Sequence, residues 1–140
     1  MAQLPAERTL SASLRVGVDL VRVADVARSM ARFGTRYTER VFTASERAYC
    51  GEHGLVAAER FAARFAAKEA TLKVLRPAPT DGVAWQSIEV RQLAGGVCEI
   101  QLRDAALVLA TRDGIAELSL SMSHEHEYAT ATVVGRLARR

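Results

Sequence analysis

Glu69 stands where a helix should be apolar. Phe61, Phe65 and Leu72 recur at helical spacing through the run Arg64-Phe65-Ala66-Ala67-Lys68-Glu69-Ala70-Thr71-Leu72-Lys73, and mark a buried stripe. Glu69 falls inside that stripe. A bare carboxylate there is costly, so it must be protonated, paired or metal-bound. From the helix alone two accounts stand: a buried glutamate satisfied by a neighbouring arginine or backbone donors, and a functional carboxylate. Asp19 is the second acid of interest, near the end of a predicted strand. If the helix packs against that strand, the two carboxylates meet and a hard cation neutralises them. Magnesium suits such a place, since it takes one or two carboxylates and fills its sphere with waters and phosphate oxygens. The plainer account has Asp19 capping the helix that begins near Val23.

Lys68 and Lys73 flank Glu69 and are the only lysines among nineteen basic residues. Lys73 lies four residues after Glu69, which gives either an ordinary helical ion pair or a movable positive charge beside a phosphate. His124 ends a strand of alternating Leu118, Leu120 and Met122, and its parity turns it to the core side as either a core-edge residue or a catalyst. His53 and His126 read as loop and turn residues. No pair of His and Cys has zinc-ligand spacing, and no elbow motif supports a serine or cysteine nucleophile.

The elements that must hold these residues follow from periodicity. Leu14, Val16, Val18 and Leu20 alternate with polar residues as a strand whose apolar side reads as core, which turns Asp19 to the opposite face. Val23 to Phe33 switches to helical spacing and stops at Gly34. Thr43-Ala44-Ser45-Glu46 is a capping box for a short helix reaching Cys50. The long helix runs from about Leu55 to Leu75 and is stopped by Pro77 and Pro79. Trp85–Leu93 and Val97–Leu102 read as paired strands about Gly95-Gly96. Asp104 caps a helix through Thr111, and Leu118–His124 forms a hairpin with Tyr128–Leu137. This order gives an α+β fold, an antiparallel sheet packed against a long helix. Residues 1–13 read as a loose leader and residues 14–140 as a single domain.

Composition sets bounds. The chain has 140 residues, 49% apolar and 25% charged, with a net charge of +3, which is ordinary for a globular domain. The mild positive charge permits an acidic partner or anionic ligand. Without aromatic platforms or a clustered basic stripe, nucleic acid is not an expected partner. Cys50 and Cys98 lack CxxC spacing and read as buried reduced thiols. With no apolar leader segment and no run long enough to span a bilayer, the expectation is a cytoplasmic protein without membrane contact.

Four segments, in order, resemble the holo-acyl-carrier-protein synthase family, the short trimeric class of the phosphopantetheinyl transferase superfamily. They are Gly17-Val18-Asp19-Leu20-Val21, Arg40-Val41-Phe42-Thr43-Ala44-Ser45-Glu46, Phe65 to Lys73, and Ser121-Met122-Ser123-His124 followed by Tyr128-Ala129. The resemblance covers roughly residues 14–135. It implies transfer of phosphopantetheine from coenzyme A to a serine of an apo acyl carrier protein, an acidic partner, and a homotrimer with sites between subunits. It implies Mg2+ at Asp19 and Glu69, catalytic roles for Glu69, Lys73 and His124, and coenzyme contacts from Arg64, Lys68, Lys73 and His124. Either Glu69 or a metal-bound water would take the serine proton. Two departures stand out: Asp25 occupies a position where the family usually has the arginine that docks the carrier, between Arg22 and Arg28. Arg76-Pro77-Ala78-Pro79-Thr80 replaces its glycine-rich loop. They motivate an alternative, a catalytically impaired module that binds coenzyme A or carrier. A basic nucleic-acid-binding oligomer is the third reading.

Overall fold

The computed structural model describes residues 13–138, so the expected leader, apart from Ser13, lies outside the described residues. Strand β1 (Leu14–Arg22) leads directly into helix α1 (Val23–Phe33), which ends at Gly34 with a positive φ of 56°. Helix α2 (Thr35–Val41) follows, an element that periodicity did not predict. Helix α3 (Ala44–Cys50) starts with the expected capping box, and both reciprocal bonds between Thr43 and Glu46 are present. Helix α4 (Gly54–Leu75) is the long central helix, stopped where Arg76 turns left-handed ahead of Pro77.

The remaining chain is shorter in strand than its pattern suggests. Trp85–Ser87 forms a 3-10 turn, and only Ile88–Gln92 pairs as β2 with β3 (Cys98–Leu102). Helix α5 (Asp104–Arg112) begins without a side-chain cap, because Asp104 itself opens the helix with φ 48° and Arg103 takes the capping position. Strands β4 (Ile115–His124) and β5 (Tyr128–Leu137) form the predicted hairpin. The main sheet is antiparallel in the order β1-β5-β4, and β2-β3 is a separate ribbon.

Helix α4 crosses one face of the main sheet and is buried on nearly every side. Its contacts are made mostly by alanines: Ala62, Ala66, Ala67 and Ala70 have no exposed surface, whereas Phe65 and Leu72 are half-buried. Of the expected Phe61-Phe65-Leu72 stripe Phe61 is fully buried, at 1% exposed, while Phe65 and Leu72 are half-buried, and Glu69 is half-buried beside them.

The two sides of β1 are exchanged relative to the pattern reading. Leu14, Val16, Val18 and Leu20 are exposed, with Val16 at 63% and Leu20 at 65%, while Arg15, Gly17, Asp19 and Val21 lie towards α4. An alternating strand shows which residues share a face but not which face its own helix covers.

Candidate active site

The site is made by close approach. A Cβ on Gly17 would lie 2.0 Å from the carbonyl oxygen of Ala70, and one on Gly135 would lie 2.6 Å from Val74 Cγ1. Only residues without side chains let α4 settle this closely onto β1 and β5. Asp19, two residues along β1, is thereby carried to the helix turn bearing Glu69 and Lys73. Lys73 Nζ donates to the carbonyl of Val18 at 2.6 Å and lies 3.5 Å from Asp19 Oδ1. Thr130 of β5 steadies the strand by donating to the Asp19 carbonyl at 2.9 Å.

Glu69 completes the group. Burial pushes its carboxyl pKa up, the neighbouring Asp19 adds to the rise, and Lys73 opposes it. Among the described residues Glu69 makes no hydrogen bond or ion pair. It is thus not the internally satisfied glutamate of the plainer account. Asp19 starts no helix cap either, since α1 opens at Arg22 without a side-chain cap. No cluster of three or more His, Cys, Asp or Glu residues suited to a metal occurs among the described residues. A cation here would rest on two carboxylates, which are hard oxygen donors of the kind magnesium takes.

The other candidates lie elsewhere on the chain. Lys68 is fully buried on a different side of α4. Its ammonium meets Glu46 Oε1 at 2.9 Å, donates to the Trp85 carbonyl at 3.1 Å and also donates to the Ile88 carbonyl. Burial lowers its pKa, with Glu46 opposing. With all its donors engaged in tying α3, α4 and β2 together, Lys68 has none left for a coenzyme phosphate, and that expectation is corrected.

Arg64 is also buried, 4% exposed, with its guanidinium 4.2 Å over the Tyr49 ring. Its contacts are long: 3.3 Å to Gln92 Oε1 and 3.5 Å to the Arg60 carbonyl, and Nε has no partner. It borders a cavity of about 270 Å³ that Ser45, Arg91 and Gln92 also line. Arg64 and Glu69 are about 140° apart around the helix, so one chain does not bring them together.

His124 lies beside Glu59, with Nδ1 3.4 Å from Oε2, and Glu59 precedes Glu69 by about 15 Å along α4. Sequence reasoning passed over Glu59, and read Glu46 as a cap and as part of the Arg40–Glu46 motif but not as a partner of Lys68. The available signal for Glu46 was the unexplained Lys68, a buried charge that needs an acid.

Comparison with known proteins decides the family. The profile described as the 4′-phosphopantetheinyl transferase superfamily matches residues 15–133. The chain belongs to the 4′-phosphopantetheinyl transferase superfamily. It is an enzyme of the holo-acyl-carrier-protein synthase type, as its similarities indicate. It is 40% identical over 121 residues to the holo-acyl-carrier-protein synthase of Koribacter versatilis, covering 86% of this chain and 96% of that one. The synthase of Gloeobacter violaceus is 40% identical over 119 residues, 85% of this chain and 89% of its own. Among solved structures, the Chronobacterium ammoniagenes ACPS–CoA complex superposes with a TM-score of 0.78 at 35% identity, covering 90% of this chain and 98% of that one. The Helicobacter pylori synthase in complex with coenzyme A gives 0.75 at 26% identity, covering 86% and 99%. The transferase fold expected from the four motifs is thus the fold observed.

Proposed function

We propose that this chain transfers the phosphopantetheine group of coenzyme A to a serine of an apo acyl carrier protein with the help of Mg2+ held by Asp19 and Glu69. The observation that carries the reading is Glu69 itself, a half-buried carboxylate without a partner among the described residues, beside a second carboxylate across a glycine-made contact. When bound there, the cation supplies neutralisation of pyrophosphate charge. Lys73 adds a positive charge at the same place, its ammonium held by the Val18 carbonyl and half exposed. Phosphoryl transfer asks mainly for this kind of positioning and charge balance. Arg64 offers a buried guanidinium with no acidic partner among the described residues, which suits a second phosphate of the coenzyme. Because Arg64 and His124 lie away from Asp19 and Glu69 within one chain, the coenzyme pocket is completed by a neighbouring copy.

A homotrimer is part of this reading. The outer face of the main sheet carries Leu14, Val16, Val18 and Leu20 in the open, and no element among the described residues covers it. Contiguous apolar surface of this kind marks an interface. No helix among the described residues is long and apolar enough to cross a membrane, and both cysteines are free, which accords with a cytoplasmic setting. The test is incubation of purified protein with apo carrier protein, coenzyme A and magnesium, followed by intact-mass measurement. A phosphopantetheine increment on the carrier supports the proposal, and no increment with several fatty-acid and polyketide carriers would sink it. A binding-only module would instead show heat of coenzyme binding with no increment.

A further inference from the structure

Arg15, Gly17 and Asp19 alternate along the side of β1 that faces α4. Gly17 lets the two backbones meet at Ala70, but a glycine carries no side chain to interlock with the helix. The contact sets how near α4 comes without fixing where along the strand it stops. Two hydrogen bonds do that, made on adjacent helix residues and from either side of Gly17. Lys73 Nζ donates to the Val18 carbonyl at 2.6 Å, and Arg15 Nη1 donates to the Val74 carbonyl at 3.1 Å. The first is made by a half-exposed ammonium that also has a phosphate to meet. The second is made by a side chain only 15% exposed, and it depends on no ligand.

Arg15 is itself held in place. The same Nη1 lies 2.8 Å from Asp113 Oδ2, and Arg112 Nε donates to Asp113 Oδ1 at 3.2 Å. Asp113 ends α5, and its N–H donates to the Leu109 carbonyl at 3.1 Å. The Arg15 hydrogen bond holds the Asp113 carboxyl below its ordinary pKa, so the pair is charged at neutral pH. Leu109 packs in the buried cluster with Leu75 and Ile88. A continuous set of contacts therefore runs from that cluster through Asp113 and Arg15 to Val74, whose carbonyl is among the last four of α4 that find no partner within the helix.

We propose that Arg15, held by Asp113, is a positioning residue that fixes where the end of α4 stops along β1 and so sets the separation of Glu69 from Asp19. This role rests on the reading of those two carboxylates as Mg2+ ligands. Glu69 precedes Val74 by about 7.5 Å along the helix axis, and a helix passes a shift of its end on to that turn. Magnesium demands near-ideal octahedral geometry, so a small slide of one carboxylate past the other weakens its hold.

The experiment follows Mn2+, a hard cation visible by electron paramagnetic resonance, titrated into full-length protein with and without coenzyme A. It is run at a temperature where circular dichroism shows every variant folded. Arg15→Met removes both donations and keeps an unbranched stem, whereas Arg15→Lys keeps a donor. Arg15→Met is expected to bind Mn2+ about tenfold more weakly than the parent, the size of effect seen when a ligand's supporting partner is removed. Arg15→Lys should recover most of that loss, and Glu69→Gln should lose binding. A lower melting temperature in Arg15→Met with the Mn2+ affinity of the parent would make Arg15 merely structural and overturn the proposal. A parent that binds no Mn2+ in either condition, or a Glu69→Gln variant that binds it equally well, would instead overturn the metal reading beneath it.

Discussion

Two adjacent residues, Lys68 and Glu69, show how little sequence position says about chemistry. Lys68 is fully enclosed and paired with Glu46, while Glu69 is half open and has no partner among the described residues. Removing one member of a buried ion pair leaves the other uncompensated, so Lys68→Met should destabilise the protein by about 3 kcal/mol in denaturant titration. A lysine contacting only coenzyme would instead leave stability unchanged. Glu69 acts in the opposite sense on stability. Its pKa is raised above the ordinary 4.5, so the folded protein holds the proton more tightly than the unfolded chain. Its contribution is therefore unfavourable above the folded pKa and disappears as pH falls below the unfolded value. Metal-free Glu69→Gln should melt at or slightly above the parent at pH 8, by less than ~1 kcal/mol because the group is screened, and the difference should vanish near pH 4. A markedly lower melting point at pH 8 would mean that Glu69 is structural. The unpartnered acid was legible because a carboxylate beside Phe65 and Leu72 demands a reason. The role of Lys68 was not, since its direction depends on how α3 and β2 wrap the helix.

At the scale of elements, the site depends on how closely α4 meets β1. Gly17→Ala would place a methyl group inside the contact distance of the Ala70 carbonyl, a backbone atom that cannot turn aside. Overpacking of this kind costs about 1–3 kcal/mol and would move Glu69 away from Asp19. The variant should remain folded by circular dichroism but lose most transfer activity, and full activity would show that the carboxylates need not meet. Local signals served these elements well where they are chemical. The Thr43–Glu46 box and the prolines after Leu75 place α3 and the end of α4 where the structure has them. Signals of pattern alone served less well: Trp85 lies in a 3-10 turn rather than a strand, and α2 carries no strong periodicity.

For the whole molecule, the exchanged faces of β1 carry the largest consequence. Alternation identified Val16, Val18 and Leu20 as one apolar row, but a single chain does not state whether its own helix or another copy covers it. Among the described residues nothing covers the row, and the proposed homotrimer would supply a partner for it. On the proposed trimer, Val18→Asp should yield monomers in light scattering with the secondary structure kept, and transfer should fall with the loss of a coenzyme pocket proposed to span two copies. Retained trimers, or active monomers, would separate assembly from catalysis. The central claim is that Asp19 and Glu69 make this chain a phosphopantetheinyl transferase acting on carrier protein. The most direct measurement is the intact mass of an apo carrier after incubation with coenzyme A, magnesium and either the parent or Glu69→Gln. The account predicts one phosphopantetheine increment with the parent and none with a folded Glu69→Gln. Equal conversion by both proteins would contradict it.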